Sequence, residues 1–188
     1  MLRKMAILLA LIAALPIDAQ LYINDTPYFC SVWDVSLQIP KQVEWTLRSR
    51  EIGKNVREPS WRFAHDLPDY LMSARHSDYN RSGFDRGHMC PAADRSRSRS
   101  MMKSTFVLSN VCPQTPACNR GEWKRTEVYC RQAAIRYDSI RIIAVPVFLE
   151  GDTVRIGRAG IAVPHAFFKA AWIAGTDSIL SAWFMFNR

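Results

Sequence analysis

The run Ile140-Arg141-Ile142-Ile143-Ala144-Val145-Pro146-Val147-Phe148 constrains the fold most. It is β-branched and apolar with one charge, so it reads as a buried strand that needs partners on its flanks. Pro146 lacks a backbone N–H, which demotes the second half of the strand to an edge or a bulge. Other segments supply partners. Val43–Leu47 alternates apolar and polar residues, the period of a half-buried strand. Leu21–Leu37 mixes aromatic and β-branched residues with turn formers and suits a first strand or edge segment. Val154–Ile156 reads as a short hairpin strand and Ile161–Pro164 as a turn. Phe167–Ile173 and Ile179–Phe186 read as a hairpin turning at Gly175-Thr176-Asp177.

Between these strands, Thr105–Asn110 (TFVLSN) is expected to be a short buried strand. A helix is predicted from Asn119, a good N-cap, with Glu122 at the capping-box position. Trp123, Thr126, Cys130, Ala133 and Ala134 give it a core face, and Asp138-Ser139 end it. Arg48–Ser82 keeps neither period and reads as a long loop pinned by Trp61, Phe63 and Tyr70. The class is therefore α+β: a mainly antiparallel sheet, one clear helix and long loops. No internal repeat or linker divides the chain, so residues 20–188 are expected to form one domain.

The chain has 188 residues and a net charge of +8. A basic surface draws polyanions: nucleic acid, anionic membrane or heparin-like partners. Arg3 and Lys4 precede an apolar run from Met5 to Leu15, followed by Pro16 and the small Ala19. That is the pattern of an export signal over residues 1–19, cleaved near Ala19, and the run is too short for a stable membrane anchor. Removing Arg3, Lys4 and Asp18 lowers the charge of +8 by about one, so the basic excess belongs to the exported part. Export to a periplasm or the medium permits disulfides. Of the five cysteines, Cys112 and Cys118 flank a proline-containing loop and are the easiest local pair. Cys130 falls within the helical pattern as a small buried hydrophobe, and no C-x-x-C or H-x-x-x-H pair speaks for zinc.

The chemistry concentrates between Asp85 and Glu127. His88 follows Asp85-Arg86-Gly87. A neutral imidazole can take a proton from water, Gly87 lets the backbone turn tightly, and Arg86 can grip a phosphate bidentately. Asn119 offers an amide oxygen, a ligand type that suits magnesium when phosphate oxygens and waters complete the shell. Glu127 lies eight residues further along the helix. That separation corresponds to roughly 800° of rotation and about 12 Å of rise, awkward for joint ligation of one ion. Glu127 then either holds a metal-bound water or an arginine, or is a surface charge paired with Arg131. The alternation of Arg and Ser from Arg95 to Ser100 is either a solvated loop or a set of phosphate-tracking cations.

The spaced pattern Asp85-Arg86-Gly87-His88, Pro91-Ala92-Ala93-Asp94, Leu108-Ser109-Asn110, Pro113-Gln114, Asn119, Trp123 and Glu127 resembles the DNA/RNA non-specific endonucleases. These are the endonuclease G-like members of the ββα-metal, or His-Me finger, nucleases. The close match runs from Gly83 to Glu127 and a weaker one from Val43 to the C-terminus. The resemblance implies a ββα-metal catalytic motif and hydrolysis of DNA and RNA to 5′-phosphate products. It implies His88 as general base and Asn119 as ligand of a single Mg²⁺, with Mn²⁺ as a substitute. Glu127 corresponds to an outer-shell carboxylate, Arg86 to a phosphate-contacting arginine, and Asn110 to an asparagine that holds the site. A second phosphate arginine is expected upstream: Arg57 first, Arg62 as fallback. Members usually continue beyond the last strand seen here. A homodimer is compatible with the sequence. The competing readings are a non-catalytic binder of nucleic acid or polyanions, and a secreted disulfide-bearing interaction module.

Overall fold

The computed structural model describes residues 21–55, 61–149, 151 and 153–188. The segment read as an export signal and Arg57 lie outside the described residues. Ten strands are described: β1 (Leu21–Asp25), β2 (Cys30–Asp34), β3 (Ile39–Arg48), β4 (Asp85–His88), β5 (Val111–Gln114), β6 (Ser139–Val147), β7 (Arg155–Ile156), β8 (Ile161–Ala162), β9 (Ala166–Ile173) and β10 (Ile179–Phe186). Helix α1 (Arg99–Lys103) is short. Helix α2 (Pro116–Cys118) runs through a wide π-type turn over Asn119–Trp123 into α3 (Lys124–Tyr137).

Six strands form one antiparallel sheet in the order β1-β2-β3-β6-β9-β10. The apolar run beginning at Ile140 is its interior strand, with Ile140, Ile142 and Ala144 sealed from water. Pairing of β3 with β6 stops at Val43↔Ala144, so Pro146 sits where β6 has lost that neighbour and an N–H is not required. β4 and β5 form a separate hairpin-like ribbon, and β7 and β8 a third, short one. α3 packs on β3 and β6. Its inward stripe is Thr126, Cys130, Ala133 and Ala134, and such small side chains let the backbone approach the sheet closely. Asp138, at φ 64°, ends the helix and turns the chain into β6.

Several expectations are corrected. Thr105–Asn110 is not a strand. Val107 makes an isolated parallel bridge to Ala64, Leu108–Asn110 form a 3₁₀ turn, and the strand comes after it as β5. Asn119 is not an N-cap. Thr115 caps, its hydroxyl accepting from the Cys118 N–H, with Pro116 in the first turn where a missing N–H costs nothing. Glu122 consequently faces solvent beside Arg125. Trp61 and Phe63 anchor the long loop, but Tyr70 does not, being 79% exposed; Leu67, Met72 and Tyr79 take that part. No disulfide joins Cys112 to Cys118, and both are buried thiols. Cys112 lies toward the Pro40 carbonyl on a strand whose four residues are all buried. Arg95 neither tracks phosphate nor sits in a solvated loop. It is buried on Glu51 and on the carbonyls of Tyr28 and Thr46.

Among the described residues, no helix is long and apolar enough to cross a membrane.

Candidate active site

β4 and β5 pair with Asp85 opposite Gln114 and His88 opposite Val111. The α2–α3 helical segment is joined to β4 at both ends. Near the start of β4, the Asn119 Nδ2 amino group donates to Asp85 Oδ2 at 2.9 Å. At its end, the Trp123 indole N–H donates to the His88 carbonyl at 3.1 Å. Two strands crossed by a helix thus bring His88 and Asn119 into one rigid unit, though 31 positions separate them in the chain.

Gly87 is required by close approach rather than by a turn. It lies in extended strand, and a Cβ there would sit 2.3 Å from the Gln114 side chain. The imidazole of His88 packs against two phenylalanines that also touch each other, with ring centroids 4.8 Å from Phe63 and 4.7 Å from Phe106. Those rings arrive from distant chain segments that the Ala64–Val107 bridge clamps together.

Asn110 holds this arrangement from below and is fully buried. Its Oδ1 accepts from the Cys90 N–H at 2.8 Å, and its Nδ2 donates to the carbonyls of Cys90 and Thr105 at 2.9 and 3.0 Å. Asn110, expected to hold the site, fixes the turn after His88 through these bonds.

An open cleft of about 610 Å³ lies beside the unit. Its lining includes Arg62, Arg86, Asn119 and Arg120 together with Phe63, Phe84 and His76. Arg86 is held by the protein along one edge. Its Nε and Nη2 donate to the His76 carbonyl at 3.1 and 2.8 Å, and Nη2 also to Asn80 Oδ1 at 2.5 Å. That edge of Arg86 is taken up by the loop, while the residue remains in the lining of the cleft. Arg62 is exposed at the rim of the cleft, whereas Arg57 lies outside the described residues.

Arg120 was given no role by sequence reasoning. Its guanidinium forks onto Asp85 at 2.9 and 2.8 Å while remaining 71% exposed. The available signal was its position directly after Asn119, but the pairing with Asp85 needs the fold. Burial by itself raises the Asp85 pKa. The bonds from Arg120 and Asn119 and the charges of Arg120 and Arg86 outweigh it and hold the carboxyl below its ordinary value.

Glu127 is turned inward. Burial pushes its pKa up to about 7, with Asp94 adding to the rise and Lys169, Arg131 and a Trp123 bond opposing it. Arg131 lies 3.9 Å from Glu127 and 3.1 Å from Asp94. The pairing with Arg131 is real, but the pair belongs to a buried charge cluster and is not a surface decoration.

A carboxylate only accepts, so the end of the Asn119 amide on Asp85 is the amino group. The other end, Oδ1, is a hard neutral oxygen of the kind Mg²⁺ takes. Among the described residues no group of three or more His, Cys, Asp and Glu is placed to hold a metal. The donor set therefore fits a hard cation held by one amide with substrate oxygens and water, and not a tetrahedral thiolate or imidazole site.

A two-stranded ribbon with an imidazole on its first strand, crossed by a helical segment that carries an amide oxygen near its start, defines the ββα-metal class. The family model described as DNA/RNA non-specific endonuclease matches residues 11–185, and the chain belongs to that family. It is 34% identical over 156 residues to "Nuclease 1, mitochondrial" of Schizosaccharomyces pombe, covering 75% of this chain and 48% of that protein. It is 40% identical over 105 residues to "Endonuclease G, mitochondrial" of Homo sapiens, covering 51% of this chain and 35% of that one. The chain thus spans about half or less of the length of these curated relatives. A solved complex of EndoG with EndoGI superposes with a TM-score of 0.79 at 24% identity, over 88% of this chain and 74% of that one, which establishes a common fold.

Proposed function

We propose that this chain hydrolyses phosphodiester bonds in DNA and RNA without regard to sugar. His88 is the general base and Asn119 Oδ1 the protein's ligand to a single Mg²⁺, with Mn²⁺ as a substitute. The observation that carries this reading is the double attachment of β4 to the helix, through Asp85–Asn119 and His88–Trp123. It supports base and ligand acting from one unit, with Asn119 and the His88 neighbour Phe63 in the lining of the cationic cleft.

The scissile phosphate enters the cleft between Arg62, Arg86 and Arg120. His88 takes a proton from water as the water oxygen bonds to phosphorus. The bond from phosphorus to the 3′ oxygen breaks, so the phosphate stays on the 5′ oxygen of one fragment and the other leaves with a 3′ oxygen that takes a proton from solvent. The rings of Phe63 and Phe106 hold the imidazole in one orientation, so little reorganisation is needed at the moment of transfer. The cation, when bound at Asn119, supplies neutralisation of charge at the leaving 3′ oxygen. Glu127, ionised, orients the water around that position. Contacts to the backbone rather than to base edges predict little sequence preference.

The test is cleavage of plasmid and of RNA with Mg²⁺ or with EDTA, alongside His88→Ala. Cutting that requires metal and falls by about 10²–10⁴-fold in the folded variant supports the reading. Salt-sensitive retention of nucleic acid without cutting would turn it into a binding protein. We also propose export, supported by the charged start, the apolar run and Ala19. Mature protein beginning at Gln20 in a periplasmic or medium fraction is the expected result; an intact Met1 terminus in the cytoplasm would overturn it.

A further inference from the structure

β9 places Phe167, Lys169 and Ala171 toward the core, so a lysine occupies a slot that its neighbours fill with apolar groups. Lys169 is 1% exposed. Taking an ammonium out of water costs several kcal/mol after relaxation, so a buried lysine must be compensated by its surroundings. The compensation comes from one turn of the helix above. Nζ donates to Thr126 Oγ1 at 3.1 Å and lies 3.5 Å from the centroid of the Trp123 ring. Thr126 in turn donates to the Trp123 carbonyl at 2.8 Å. The carboxylates whose charge acts on Lys169 are Glu127 and Asp94.

Trp123 thus receives a cation on its face while its edge holds the His88 carbonyl. A cation held on a desolvated indole face is attracted to the ring and favours one plane for it. An apolar residue at 169 would fill the slot but would not anchor that plane. We propose that Lys169 is a positioning residue of the active site, setting the Trp123 indole under His88 from the sheet below. This rests on the reading of His88 given above, and it extends the site to a strand that is distant from the ββα motif in the chain.

The test uses the full chain with Lys169→Met, which keeps length and removes charge, and Thr126→Val, which removes the acceptor on Nζ. Two readouts are taken. The first, independent of activity, is hydrogen exchange at the tryptophan indole N–H groups by ¹⁵N NMR. The Trp123 indole proton is expected to exchange at least about 10-fold faster in Lys169→Met, while that of Trp33, bonded to the Leu71 carbonyl, is unchanged. The second is Mg²⁺-dependent cleavage, with kcat expected to fall about 10- to 100-fold and KM to stay within about twofold. Thr126→Val should move both readouts the same way by less, and it keeps the test decisive if Lys169→Met does not fold. A folded Lys169→Met protein with parental Trp123 exchange and kcat, or a Thr126→Val protein that moves neither, overturns the proposal. If the parent protein cuts nothing, the nuclease reading fails, and the exchange result still decides the placement of Trp123.

Discussion

The indole N–H of Trp123 donates to the backbone carbonyl of His88 across 3.1 Å, tying the helix to the strand that carries the imidazole. Trp123 is fully buried, and its ring also meets Phe167 edge-on at 5.3 Å. One side chain therefore joins three parts of the fold at the site.

Trp123→Phe keeps an aromatic ring but removes the donor and leaves a void. The loss is expected to be about 2–4 kcal/mol, the sum of an unsatisfied carbonyl and a partly filled cavity. Urea unfolding measures the stability loss. At temperatures where the variant remains folded, kcat should fall while KM changes little, since no substrate contact is removed.

Gly87→Ala pushes a methyl into the Gln114 side chain, which lies 2.3 Å from the ideal Cβ position. Overpacking of this kind is expected to cost about 1–3 kcal/mol. Gln114→Ala should recover much of that loss, so the double variant should be more stable than the sum of the singles allows. Additive thermal shifts would show that Gln114 is not the obstacle.

Glu127 makes stability depend on pH in a definite direction. Its folded pKa is raised to about 7 by burial, against an unfolded value of about 4.3. The folded state therefore binds the proton more tightly, and stability falls as pH rises from about 4.3 to about 7. Asp94, also raised mainly by burial, acts with the same sign. Glu127→Gln mimics the protonated acid, so its advantage should be absent near pH 4 and reach on the order of 1–2 kcal/mol by pH 8. Denaturant melts across that range check the sign. The acid limb of cleavage should follow the ionisation of Glu127 and change in the same variant.

The thiols Cys112 and Cys118 are expected to be inert in the folded protein. Burial pushes the Cys118 pKa up to about 11 and that of Cys112 well above its ordinary value. Alkylation followed by mass spectrometry should label both only after unfolding. Dithiothreitol should leave the thermal midpoint unchanged; a drop on reduction would reveal a bridge.

Much of the fold was legible because it rests on local pattern. β3, β6, β9 and β10 were readable from apolar runs and alternation, and the inward stripe of α3 from its spacing. Thr105–Asn110 was misread because an apolar, β-branched run is compatible with any buried segment, and the bridge to Ala64 is a long-range event. Asn119 looked like a cap because Asn favours that position. The true cap is four residues earlier, and the π-type turn that carries the chain past Asn119 has no local signature.

The candidate site divides the same way. Sequence by itself determined which groups the chain brings to the chemistry: an imidazole, an amide, arginines and a carboxylate at fixed spacing, because residue identity and order are covalent. Only the tertiary structure decided where each group sits and what it touches. It spends one edge of Arg86 on a loop carbonyl, sinks Asn110 into the core, adds Arg120 beside Asp85 and sets Lys169 beneath Trp123. Those outcomes follow from burial and from contacts between distant residues, and both exist only once the sheet and helix have closed on each other.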